Sequence, residues 1–308
     1  MSHDDPRPVV VTGEALVDLV LEHDGGLTGH PGGGPYNVAR TIGRLDQPVV
    51  FLGRVSSDGF GSRLRHELEL DGVRTDAIVA TDAPTTLALA ELDHEGVARY
   101  HFYDVGTSAP GLTLEEATAA LPRRIATFYL GTLGLVFEPM ATTLEALVAR
   151  MDHDTLVALD PNCRPTTIDD PAAYRGRLTR LLQRTDVIKA SQEDLAWLDP
   201  GAEPVAAARA LLVEDHAVAF VTLGRDGAMV VTADDVVEID APPVDVVDTI
   251  GAGDAFMGSF LARWHTRGLG RRGLARLADV AEAARFACRV AAITCSRAGA
   301  DPPRIAEL

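Results

Sequence analysis

The sequence predicts an α/β fold: a mostly parallel central sheet covered on both faces by helices, with a small β-sheet lid. Three observations predict it. Short continuous apolar runs recur along the chain and read as strands buried on both faces. Amphipathic helical stretches separate those runs. Two half-polar alternating segments fall outside the rhythm. Strand–helix–strand repeats close as right-handed βαβ units, which is what makes such a sheet parallel. With 308 residues, 46% of them apolar, there is enough material for a sizeable core. No linker, low-complexity stretch or internal repeat divides the chain, so 1–308 is read as a single domain.

Residues 9–13 and 49–53 are the first buried strands, with a helical stretch over 36–45 between them. Strands at 128–130, 156–160, 187–189 and 217–222 each follow a helical segment, at 114–121, 141–151, 172–183 and 205–213 respectively. Residues 229–232 and 236–239 form a hairpin, after which two long helices cover 252–267 and 274–295. The lid comes from insertions around 15–30 and 85–105. Residues 15–22 read A-L-V-D-L-V-L-E, a half-polar strand, and strands at 86–92 and 97–103 flank the turn Asp93-His94-Glu95-Gly96.

Charge and spacing exclude several functions. The net charge of −17 repels phosphate backbones and anionic lipid, so neither nucleic acid nor a membrane surface is an expected partner. No run of 18 apolar residues exists to span a bilayer. The polar first eight residues lead straight into a strand without a secretory-signal layout, so a cytoplasmic location is expected. Lys189 is the single lysine beside 27 arginines, which leaves no Gly-Lys-Ser/Thr phosphate loop. Cys163, Cys288 and Cys295 are scattered, fitting neither a disulfide framework nor a zinc site. His66-Glu67 starts like a zinc-binding H-E-x-x-H, but Leu70 stands at the second histidine position.

The most informative segment is Val246-Val247-Asp248-Thr249-Ile250-Gly251-Ala252-Gly253-Asp254-Ala255-Phe256. A strand-like stretch ends at Asp248, small residues follow, and a helix begins near Ala252. Backbone N–H groups at such a start, approached closely across Gly251, Ala252 and Gly253, make an anion hole suited to a phosphoryl group. Asp254, in the first helical turn, is placed to take a proton from an attacking hydroxyl. The spacing alone equally describes a Gly-rich loop with an ordinary helix-start aspartate.

D-T-I-G-A-G-D-A-F resembles the C-terminal signature of the ribokinase-like (PfkB) carbohydrate kinases, and the resemblance runs on through the chain. Gly32-Gly33-Gly34-Pro35-Tyr36-Asn37-Val38-Ala39 is similar to the N-terminal signature. Residues Gly53 to Gly61 are similar to G-x-V-G-x-D-x-x-G, with Ser56 at a usual glycine. Val221-Thr222-Leu223-Gly224-Arg225-Asp226-Gly227-Ala228 is similar to the nucleotide-side T-x-G-x-x-G. Within the family the fructokinase branch matches best. The residues are Gly13-Glu14-Ala15-Leu16-Val17-Asp18, Pro84-Thr85-Thr86-Leu87-Ala88, Leu130-Gly131-Thr132-Leu133, Asp160-Pro161-Asn162-Cys163-Arg164-Pro165 and Lys189-Ala190-Ser191-Gln192-Glu193-Asp194-Leu195. Ketodeoxygluconate kinases share several of these.

The resemblance implies a three-layer αβα ribokinase-like body and an ATP-dependent kinase, with fructose as acceptor and fructose 6-phosphate as product. It implies that Asp18, Gly33, Gly34 and Asn37 bind sugar hydroxyls. Phe102 or Tyr103 would stack on the sugar or else pack lid against body. Thr222, Gly224, Gly227 and Ala228 would lie along ATP, with Cys288 near the adenine. Gly251, Ala252 and Gly253 would cradle the transferring phosphoryl group, with Asp254 as base and Arg164 neutralising charge. Lys189 would contact phosphate or stand at a strand end facing solvent. Glu193 and Asp194 occupy the region of the N-x-x-E element that organises Mg2+ through water, with Ser191 in place of the asparagine. Asp248, with carbonyls from Ile250 and from Thr294 to Gly299, would hold a monovalent cation, K+. Alternative acceptors are ketodeoxygluconate, ribose, another sugar or a nucleoside. The reading from another class is a sugar sensor without turnover, which the base and anion hole argue against. Related kinases often pair through their lids, so a homodimer is expected.

Overall fold

The computed structural model describes residues 7–21, 25–92, 98–213 and 217–308. Among these, nine strands form one sheet with β1 (Val9–Thr12) inside it. On one side lie β4 (Val49–Ser56) and β5 (Ile78–Thr81). On the other, β8 (Thr127–Gly131), β9 (Leu156–Asp160), β10 (Val187–Ser191) and β11 (Val218–Thr222) run outward in sequence. These seven are parallel. The far edge is antiparallel, through β12 (Ala228–Val231) and β13 (Val236–Ile239). The chain leaves β1 first toward β4 and later returns to β8, so the strand order reverses beside β1. A crevice opens at such a point, beyond the carboxyl ends of the strands.

The apolar runs are continuous because the sheet is covered twice. Val9, Val11 and Phe51 share a core with Tyr36, Phe256, Phe260 and Trp264. Val10, Val50 and Leu52 join Phe128, Leu144, Leu159 and Leu178 on the other face. The first layer holds α1 (Gly34–Arg44), α2 (Gly59–Leu70), α8 (Ala252–Thr266) and α9 (Leu277–Cys295). The second holds α3 (Leu114–Ala120), α4 (Met140–Val148), α5 (Pro171–Leu182), α6 (Gln192–Leu198) and α7 (Pro204–Ala210).

Local chemistry sets several helix starts. Asp58 caps α2 through Gly61 N (2.8 Å), Thr113 and Glu116 form a capping box on α3, and Asp170 caps α5 ahead of Pro171. A Cβ at Gly61 would lie 2.0 Å from the Ser56 carbonyl, so the turn into α2 demands glycine there.

The lid is a four-stranded sheet in the order β3 (Leu27–Gly32), β2 (Leu16–Leu21), β6 (Leu87–Leu92), β7 (Ala98–Tyr103). It is mixed: β2 pairs with β6 in parallel, and the other pairs are antiparallel. The expected turn at Asp93-His94-Glu95-Gly96 lies outside the described residues.

β3, α2 and β5 are among the elements not anticipated. β3 carries Gly29, Pro31 and Gly32, which mask strand character. In α2 only Gly61, Leu64 and Leu68 are buried, too thin a stripe to show as periodicity. β5 is a half-buried four-residue edge. The last helix also starts later than expected, at Leu277, because 271–275 form a tighter 3-10 turn.

Candidate active site

A cavity of about 1300 Å3 opens between the lid and the carboxyl ends of β1, β8, β9, β10 and β11. Its acceptor end is framed by the lid. Asp18 on β2 lines it, opposite β3. A Cβ at Gly32 would meet the Asp18 carboxylate at 2.1 Å, so the bare glycine lets that carboxylate lie across the neighbouring strand. Burial pushes the Asp18 carboxyl up to about 6, with the Asp254 charge adding to the rise and Arg164 opposing it.

Asn37 meets Asp18 from the body. Its Nδ2 donates to Asp254 Oδ2 at 2.9 Å, while its buried Oδ1 has no partner. A buried acceptor without a protein donor is costly, and this one is available to a hydroxyl entering the cavity. Asp254 lies in the first turn of α8 and is 8% exposed. Burial raises its pKa, against the Asn37 hydrogen bond and the charges of Lys189 and Arg164. A desolvated carboxylate is a stronger base, and this one opens on the cavity.

Gly251 precedes α8 at φ 75°, a conformation that favours glycine. Gly251, Ala252 and Gly253 all line the cavity at the helix start, where the first N–H groups lack helical acceptors. Lys189 is buried, which removes the alternative of a solvent-facing strand end. Its Nζ donates to Asp160 Oδ2 at 2.9 Å and would lie 2.8 Å from a Cβ on Gly253, so the ammonium sits against the turn. Burial alone would lower the Lys189 pKa, but the Asp160, Asp194 and Asp254 charges outweigh it and hold it high. Arg164, exposed on the loop after β9, lines the same space.

The other end is lined by Thr222, Gly224, Gly227, Pro242, Val244 and Cys288. Gly227, at φ 99°, passes so near the Ile239 carbonyl that a Cβ would stand 2.0 Å from it. Ala228 is buried in β12 and is not among the lining residues.

Asp248 ties two loops together, accepting from Ile250 N (3.0 Å) and Gly299 N (2.8 Å). The Thr294 hydroxyl donates to Val290 O at 3.0 Å. The Asp248 carboxylate and nearby loop carbonyls are hard oxygen donors, the set an alkali or alkaline-earth cation takes.

Two expectations need correction. Phe102 lines the cavity and packs edge-on against Phe137, but Tyr103, one residue on, points to the other face and is 56% exposed. Strand alternation separates them. Asp194 is consumed as a helix cap: its oxygens accept from Cys163 N (2.6 Å), Ser191 N (2.8 Å) and Ser191 Oγ (2.8 Å). Glu193 is the exposed carboxylate of the pair that lines the cavity. Among the described residues no group of three or more His, Cys, Asp or Glu is arranged to hold a metal.

Glu14, Thr132 and Asn162 also line the cavity, without a role expected from sequence. Glu14 is fully buried and bridges Gly34 N and Gly134 N, each at 3.1 Å. Burial pushes its pKa up to about 8. Thr132 (φ 53°) and Asn162 (φ 35°) hold left-handed conformations and touch at 3.3 Å. Strain of this kind gathers at functional sites. The available signal was positional: each follows the carboxyl end of a parallel strand.

Residues 7–306 match the model for the pfkB family carbohydrate kinases. The chain is 33% identical over 261 residues to a fructokinase of Rhizobium leguminosarum bv. trifolii, covering 82% of this chain and 78% of that one. It superposes on the Xylella fastidiosa fructokinase with bound ATP at a TM-score of 0.86, with 26% identity over 95% of this chain and 93% of that one. The Vibrio cholerae O395 fructokinase, bound to fructose, ADP and calcium, gives a TM-score of 0.84 at 26% identity, over 96% and 95% of the two chains. A double mutant of that enzyme with fructose, ADP and potassium gives 0.83 at 25% identity, over 97% and 95%. No helix among the described residues is long and apolar enough to cross a membrane.

Proposed function

Because the chain belongs to the pfkB family of carbohydrate kinases, we propose that it transfers the γ-phosphoryl group of ATP to fructose, giving fructose 6-phosphate. The observation that carries this reading is the Asn37–Asp254 pair, set between the lid's Asp18 and the Gly251–Ala252–Gly253 turn. One sugar bound there contacts lid and body together. Asp18 and the free Oδ1 of Asn37 accept its hydroxyl protons, the Gly33–Gly34 backbone lies alongside, and Phe102 covers the ring. The 6-hydroxyl gives its proton to the Asp254 carboxylate as its oxygen attacks the γ-phosphorus, and the bond from phosphorus to the ADP oxygen breaks. Charge on the moving phosphoryl group is met by the 251–253 N–H groups, Lys189 and Arg164.

Thr222, Gly224 and Gly227 line the bed for ATP, with Ala228 supporting it from β12 and Cys288 beside the adenine. Mg2+, reached through water from Glu193, would neutralise the triphosphate; Asp194 serves by capping the helix that carries Glu193. Asp248, with main-chain oxygens of Ile250, Thr294 and Gly299, would hold K+ next to the anion hole. The chain works on this reading as one kinase domain, in the cytoplasm where ATP is available. A homodimer through the lids is supported by the cross-strand pair Leu21 and Leu27, exposed at 38% and 57%.

The test is a panel of fructose, ketodeoxygluconate, ribose, other sugars and nucleosides with ATP and Mg2+, read as ADP release. Fructose should give the highest kcat/KM. A higher value for another acceptor moves the substrate within the family. Tight binding without turnover on any acceptor would make the protein a sensor.

A further inference from the structure

Helix α1 touches the reaction centre through Asn37, and one to two turns later it grips the far end of the chain. Asp71, 3% exposed at the end of α2, accepts from Arg40 Nε of α1 at 2.7 Å and from Arg304 Nη2 at 2.7 Å, and forms an ion pair with Arg44 of α1, whose Nε stands 2.8 Å away. Arg44 Nη1 donates onward to Asp301 Oδ1 (2.5 Å) and to the Pro302 carbonyl (2.6 Å). Arg40 Nη1 donates to the Ala300 carbonyl at 3.4 Å.

The segment held in this way backs the anion-hole turn. Gly299 N donates to Asp248, and Ala300 packs on Gly251 so closely that a Cβ there would stand 2.5 Å from the Ala300 methyl. α1 is itself locked to α8: a Cβ at Gly258 would meet Thr41 Cβ at 2.7 Å and the Val38 carbonyl at 2.9 Å. The helix bearing the base, the helix touching the base and the segment behind the 251–253 turn therefore form one connected set.

We propose that Arg40 and Arg44, oriented by Asp71, are positioning residues that press residues 299–302 against the turn at 248–251 and keep the anion hole formed. The inference rests on the reading of 251–253 as that hole. It goes beyond stability because both arginines hold main-chain atoms of the segment that backs the turn. A contact acting only on stability would leave the geometry of the folded site unchanged.

The test compares Arg44→Met with the wild type for steady-state kinetics and for amide hydrogen exchange of peptides spanning 247–256 and 297–303. Misplacement of a reacting group by about an ångström costs up to about a hundredfold. The variant should therefore lose about tenfold or more in kcat with fructose KM little changed, and both peptides should exchange faster. Arg44→Lys, which keeps the charge and a donor, should recover part of both. Arg177→Met, which cuts the remote pairing of α5 with Glu138 and Glu145, should lower the melting temperature without changing exchange at 247–256. If Arg44→Met does not fold, Asp301→Ala removes the loop-side side-chain partner of the same guanidinium and is read by the same exchange and kinetic measurements. Faster exchange at 297–303 with kcat and 247–256 unchanged overturns the proposal. A wild type that turns over no sugar overturns instead the reading of the site on which it rests.

Discussion

Toward the lid, the cavity is walled by ionisable groups taken out of water. Asp18, Glu14 and Asp254 all have raised pKa values, and burial is the first cause of each. Toward β12 and β13 it is walled by Gly224, Gly227, Pro242, Pro243, Val244 and Cys288, where shape and backbone do the work. At the first end a single side-chain atom can carry the chemistry, because a desolvated charge interacts strongly with whatever replaces its water. At the second no side chain carries a comparable load, so substitutions there should be mild unless they obstruct the backbone.

The largest effect belongs to Asp254→Asn, which keeps the contact with Asn37 but cannot accept a proton. Turnover should fall by roughly 10² to 10⁴, the usual span for loss of a general base, with fructose and ATP affinities little changed. Retention of more than about a tenth of wild-type kcat would show that the base is another group.

Next comes Asp18→Ala. Removing one partner of a buried charged hydrogen bond costs about 2–5 kcal/mol, so fructose KM should rise roughly thirtyfold or more while ATP KM holds. Loss of ATP affinity with fructose KM intact would detach the lid from sugar binding. The same carboxyl predicts a pH signature. Its folded pKa, about 6, stands above the unfolded value of 3.8. Its contribution to stability is thus complete below the unfolded value and lost as pH rises through 6, whereas accepting hydroxyl protons needs the ionised form. Raising pH through 6 should increase kcat/KM for fructose and lower the melting temperature, with a shallower melting trend in Asp18→Asn. A melting trend identical in wild type and variant would remove Asp18 from the linkage.

The cation loop lies between the two ends, and its effect should be intermediate. If Asp248 and the 294–299 carbonyls hold K+, activity should be severalfold higher in potassium than in sodium or tetramethylammonium at matched ionic strength. Equal rates in all three salts would leave Asp248 as a purely structural tie between Ile250 and Gly299. The smallest effect is expected of Cys288→Ala, which trims the nucleotide wall without touching a charge. ATP KM should change by less than about threefold, or some 0.6 kcal/mol. A change above tenfold would show that this wall relies on individual side chains after all.

Much of this was legible before any coordinates. Buried parallel strands announced themselves at 9–13, 49–53, 156–160 and 217–222 because a strand covered on both faces has no polar alternation to disguise it. The helix start at 251–254 was legible because a tight glycine turn at a helix N-terminus needs small residues in a row. Asp194 misled for a converse reason: a carboxylate at the third position of a helix reads the same whether it reaches a metal through water or caps its own helix with Ser191. Only the closing of three backbone and hydroxyl donors around it decides.

By itself, then, the sequence determined the layered α/β architecture, the segments of the small sheet, and the glycine-rich turn that opens a helix with Asp254 in its first turn, since each depends on periodicity or on local backbone demands. Tertiary structure alone decided what long-range burial controls. It sent Phe102 inward and Tyr103 outward, buried Lys189 against Asp160, and set the Asn37 amide against Asp254. It also brought Arg40 and Arg44 onto a segment some 260 residues away. The reason is physical: the charge state and direction of a polar side chain follow from what excludes water around it, and here those neighbours come from distant parts of the chain.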